Sequence, residues 1–74
     1  MKLKDLSMCE RVAEELYKIP GSQREIAKRI GCRNHAVSDW LAGRSIPSAY
    51  HLKSMCEAGL DVIYILTGRR TKND

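Results

Sequence analysis

Seventy-four residues leave room for one small domain, because two separate cores would each bury too little surface to offset chain entropy. With 43% hydrophobic and 30% charged residues and only two prolines, the composition excludes a disordered tail or a solvated spacer. The net charge of +4 is concentrated between Pro20 and Lys53, where Arg24, Lys28, Arg29, Arg33, Arg44 and Lys53 face only Glu25 and Asp39, so that segment is either a solvated basic face or a phosphate-binding surface.

From Leu6, the apolar residues Leu6, Cys9, Val12, Ala13, Leu16 and Ile19 recur at spacings of three and four, which predicts a first helix ending before Pro20, with Glu14 and Lys18 as an i,i+4 pair. Ser22 then offers an N-cap and Glu25 completes a capping box. Ile26, Ala27 and Ile30 form the apolar face of a second helix that Gly31 stops. Ala36, Val37, Trp40 and Leu41 repeat the pattern up to Gly43, giving a third short helix after a turn of two or three residues. After Pro47, Ser48 caps a fourth helix with Leu52, Met55 and Cys56 inward, ended by Gly59; Asp61 caps a fifth, Val62 to Thr67, closed by Gly68. No segment sustains period-two alternation, so the class is all-α, a compact five-helix domain over residues 1–68 followed by a polar basic segment, 69–74.

The informative spacing is Gln23, Ile26, Ala27, Ile30, Gly31, Cys32, Val37 and Trp40. Two helices crossing steeply need a small residue where they touch, supplied by Ala27, and a turn residue free to adopt a left-handed backbone, supplied by Gly31. Ile26, Ile30, Cys32, Val37 and Trp40 then turn inward, and the outline is a helix-turn-helix.

On these residues the sequence resembles the repressor and Cro proteins of lambdoid phages. The matching stretch runs from Gly21-Ser22-Gln23 through Glu25-Ile26-Ala27, Ile30-Gly31 and Val37-Ser38-Asp39-Trp40-Leu41 to Gly43-Arg44, and Asp61 to Arg70 is similar to the end of the DNA-binding domain in many phage repressors. The resemblance implies a third helix seated in the major groove, with Asn34, His35, Ser38 and Asp39 reading base edges. Asn34 suits adenine, Asp39 the N4 amine of cytosine, and His35 a guanine or a phosphate. It also implies phosphate contacts from Gln23 at the first turn of helix 2, from Arg44 and Ser45 after helix 3, and from Arg24 and Arg33, with Lys28 on a side turned away. One departure stands out: the family commonly places a capping serine before Asn34, where this chain has Arg33, which leaves Asn34 as the expected cap, its side chain partly committed to the backbone and its adenine contact weakened.

What the resemblance implies as a whole is a double-stranded DNA-binding transcriptional regulator, a phage or prophage repressor acting on a palindromic operator as a dimer. It is either a complete Cro-like protein or the DNA-binding part of a longer repressor. The rival is a protein-interaction module of the same fold, of antitoxin or antirepressor type. The apolar run Val62, Ile63, Tyr64, Ile65 and Leu66 either closes the core or forms the homodimer interface, with Tyr64 as an anchor.

Cys32, His35, His51 and Cys56 raise the question of zinc. Cys32 sits at the inward turn position while His35 points out, so the four are not expected to converge, and neither metal nor cofactor is predicted. No acid-oriented Cys-His pair or oxyanion loop accompanies them, so no enzyme is predicted. His51 is expected on the surface of helix 4 and Trp40 in the core rather than stacked on a base. Cys9, Cys32 and Cys56 are more than twenty residues apart and read as buried thiols in a reducing compartment. The longest apolar run is too short to span a membrane, and Lys2, Lys4, Asp5, Glu10 and Arg11 interrupt any leader-like stretch, so the expected location is the bacterial cytoplasm or nucleoid.

Overall fold

The computed structural model describes residues 6–70, and of Leu6 only the backbone; the expectations on the Leu6 side chain, on the charges at Lys2, Lys4 and Asp5 and on the tail from Thr71 lie outside the described residues. Five helices follow one another: α1 (Leu6–Leu16), α2 (Gln23–Ile30), α3 (Asn34–Leu41), α4 (Ala49–Glu57) and α5 (Val62–Thr67). There is no strand among the described residues.

The regular part of α1 stops three residues short of Ile19, and the chain continues through tightening turns in which the Lys18 and Ile19 N–H groups donate to the Glu15 and Leu16 carbonyls. Those turns still deliver Ile19 to the core, where the periodicity places it. The capping box of α2 is formed as expected: Glu25 N–H donates to Ser22 Oγ at 3.3 Å, and Ser22 N–H donates to Glu25 Oε1 at 2.8 Å. Gly21 makes room for this reciprocal cap, since its φ is 110° and a Cβ there would strike the Glu25 carboxylate.

Gly31 ends α2 with φ of 86°, and the N–H groups of Gly31 and Cys32 both donate to the Ala27 carbonyl, which closes the turn in three residues. α2 and α3 pack on each other through this turn, α1 lies against α3 and α5, and α4 lies against α2 and α5. The core they enclose is Val12, Leu16, Ile19, Ile26, Ala27, Ile30, Val37, Trp40, Met55, Leu60 and Ile65. Burying each of the larger side chains stabilises the fold by about 1.5–3 kcal/mol before entropy is charged.

Two expectations need correction, and one buried residue was not expected. Cys56 is exposed rather than inward, because Leu52 and Met55 already supply the inward face of α4; Cys9 is buried and Cys32 half-buried. Lys18 pairs with Glu15 at 2.9 Å instead of Glu14, one residue out of the anticipated register. Glu15 is 1% exposed, an ionisable residue inside the core boundary that the apolar pattern gives no reason to expect.

Candidate nucleic-acid interface

α3 presents two rows of side chains. Asn34 and His35 are exposed on its first turn, Ser38 and Asp39 are half-buried one turn further on, and Ala42 is exposed at its end. The opposite face carries Val37 and Trp40 into the core, so the helix is held by one side and shown by the other.

Its N-terminus corrects the capping expectation. Arg33, with φ −81° and ψ 145°, occupies the N-cap position and makes no side-chain cap, while its carbonyl accepts from the Ala36 and Val37 N–H groups. Asn34 is the first residue inside the helix, not its cap, so its side chain is not spent on the backbone.

The residues expected at phosphates lie on α2 and on the turns that precede and follow α3. Gln23 and Arg24 are exposed on the first turn of α2, where helix geometry leaves N–H groups free to donate, and Arg33 stands exposed at the start of α3. Arg44 and Ser45 are exposed in the loop after α3. Arg44 is also engaged within the chain: its Nε donates to Asp39 Oδ1 at 3.0 Å. Lys28 lies elsewhere, along a groove at the α1–α2 corner with Ile19, Pro20, Glu25 and Arg29.

An open groove beside α3 is lined by Gly31, Cys32, Arg33, His35, Ala36, Asp39 and His51. His51 is half-buried there, which corrects its placement as a plain surface residue. Its ring meets the Trp40 indole edge-on at 5.1 Å, and its Nδ1 lies 3.0 Å from Ser48 Oγ, the same oxygen that accepts the His51 N–H and caps α4. His51 therefore ties the start of α4 to the inner side of α3, a role visible only once the two helices are packed.

The same contacts bear on metal binding. Cys32, His35 and His51 share the groove, but Cys56 belongs to a separate depression with Leu60, Asp61, Val62 and Ile63. Among the described residues no group of three or more His, Cys, Asp or Glu side chains is arranged to hold a metal ion. Burial pushes the Cys32 thiol above its ordinary pKa, which keeps it protonated and a weak nucleophile.

The α5 run divides. Ile63 and Leu66 are about half exposed, at 49% and 48%, and lie three residues apart on one side. Val62 is half-buried against the core. Tyr64 is half-buried, with its hydroxyl donating to Glu14 at 2.6 Å and its ring beneath the Arg70 guanidinium at 3.7 Å. Ile65 is fully buried within the chain's own core, which removes it from any set of residues available to a partner. No helix among the described residues is long and apolar enough to cross a membrane.

A family model described as Helix-turn-helix matches residues 21–58, just over half of the chain, from the capping box of α2 to the end of α4. Comparison with curated proteins and with solved structures finds no match.

Proposed function

Since the chain belongs to the Cro/C1-type helix-turn-helix family, a family of DNA-binding transcription regulators and not of enzymes, we propose that it is a phage or prophage repressor that binds a palindromic operator as a dimer and blocks the promoter beneath it. The observation that carries this reading is the disposition of α3, clamped by Val37 and Trp40 on one side and presenting Asn34, His35, Ser38 and Asp39 on the other. With that face in the major groove, Asn34 pairs with adenine, Asp39 accepts from cytosine and His35 donates to guanine or to a phosphate, Ser38 lying between them. Gln23, Arg24, Arg33, Arg44 and Ser45 set register and affinity through the phosphates.

The test is selection of the full chain against a random double-stranded library at two salt concentrations. Enrichment of a palindrome with half-sites about one helical turn, roughly 34 Å, apart supports the reading, with affinity falling as salt rises in proportion to the phosphates neutralised. Recovery of no preferred sequence points instead to a protein partner for the same fold.

Ile63 and Leu66 form the dimer seam in this proposal. Their i,i+3 spacing puts two large apolar side chains side by side, and pairing across a two-fold axis covers both. Ile63→Asp and Leu66→Asp are each expected to sediment as a folded monomer with weakened operator binding. A mass unchanged from the wild-type dimer in both variants places the seam elsewhere.

A further inference from the structure

Asp39 is the acid on a face that must approach a polyanion, and the structure shows how it is held. Its Oδ1 accepts from Arg44 Nε at 3.0 Å, and the Arg44 backbone N–H donates to the Asp39 carbonyl at 2.9 Å. Were α3 to run on through residue 44, Arg44 would lie five positions on and off the Asp39 side; the chain reversal at Gly43, with φ of 74°, brings it back. The two residues are thus joined twice, once through the backbone and once through the side chains.

Exposed ion pairs contribute little to stability, and here both partners are open to water, at 62% for Arg44 and 37% for Asp39. The consequence of the pair lies in position and charge. The carboxylate is fixed to one orientation, its charge is neutralised where phosphates would repel it, and Oδ2 remains for a second donor, as do the terminal nitrogens of the guanidinium for a second acceptor.

We propose that Arg44 is a positioning residue for sequence readout: it holds Asp39 so that Oδ2 accepts from the N4 amine of a cytosine, while its own remaining N–H groups donate to an adjacent phosphate. This rests on the placement of α3 in the major groove proposed above, and it differs from a plain phosphate contact in what it predicts. A plain contact adds affinity for every sequence, whereas a positioning residue adds discrimination at the base pair its partner reads.

The probe is the duplex enriched by the full chain from the random library, with every single-base replacement of it, measured by fluorescence anisotropy at fixed salt after circular dichroism confirms folded variants. Asp39→Ala is expected to lose about five- to tenfold discrimination at one base pair of each half-site. Arg44→Ala is expected to lose most of that discrimination at the same base pair, and Asp39→Ala/Arg44→Ala no more than either alone. Arg44→Lys keeps the charge without the Nε–H geometry, so it should weaken binding to unrelated duplex less than Arg44→Ala does yet still lose the discrimination.

Uniform weakening by Arg44→Ala with discrimination intact overturns the proposal, and so does wild-type discrimination in Arg44→Lys. Unchanged discrimination in Asp39→Ala, with a loss in Asn34→Ala, overturns the proposal while leaving α3 as the reading helix. Unchanged discrimination in all α3 variants, or selection of no sequence at all, overturns both.

Discussion

Trp40→Ala is expected to leave the chain without a cooperative thermal transition above room temperature and without measurable affinity for the selected duplex. Trp40 is 3% exposed and packs in the core beside Val37, with its edge against the His51 ring, so it joins α3 to α4 as well as filling space. Truncating a buried tryptophan costs about 3–5 kcal/mol, whereas a domain of this length is stable by about 4–11 kcal/mol in total. The loss is a large fraction of that total, and binding disappears with the fold because the proposed reading face of α3 is no longer presented. Trp40→Phe keeps much of the volume and should restore a melting transition, shifted downward. Circular dichroism melts paired with anisotropy separate this from base stacking: a tryptophan that contacted DNA would, on truncation, lose binding while keeping the wild-type melt.

What could be read from the sequence is what is decided within a few residues. The Ser22–Glu25 box, the left-handed Gly31 and the inward positions Ile26, Ala27, Ile30, Val37 and Trp40 are set by local hydrogen bonds and by the 3.6-residue period, and all take the positions expected of them. The cap of α5 by Asp61, which accepts from Tyr64 N–H at 3.0 Å, was legible for the same reason.

Where the sequence misled, the deciding partner was distant or the geometry of an end mattered. Glu15 takes hydrogen bonds from residues 46 and 55 positions away, and no periodicity anticipates a carboxylate whose partners arrive from α5 and beyond. Ile65 and Ile63 belong to one apolar run, yet only the packing of α5 on α1 determines which of them is enclosed. The Asp39–Arg44 pair depends on the reversal at Gly43, and Asn34 lost its expected capping role because the residue before it takes extended backbone whatever its side chain.

Glu15→Gln carries the second large expected effect, with a pH dependence that identifies its cause. The Glu15 carboxylate accepts from the Asp61 N–H at 3.0 Å on one oxygen, and on the other from Lys18 Nζ at 2.9 Å and Arg70 Nη1 at 2.7 Å. Burial alone would raise its pKa; the Asp61 N–H, Lys18 and Arg70 together outweigh burial and hold it below the ordinary value of 4.5. A depressed folded-state pKa means that the charged form contributes stability fully above about 4.5 and loses it as pH falls through the lower folded value. Glutamine keeps an acceptor for the Asp61 N–H but removes the charge that Lys18 and Arg70 face. Those two side chains are 53% and 41% exposed and regain water, which keeps the cost near about 2–3 kcal/mol rather than that of a fully buried broken pair. For a domain of this size that is a drop of roughly 10–20 °C in melting temperature at pH 7. As pH falls below 4.5 the unfolded chain takes up the proton first and the folded carboxyl follows only at its lower value, so the gap between the two melting curves should narrow progressively. A gap that stays constant from pH 7 to pH 3 would assign the contribution of Glu15 to packing and not to its charge.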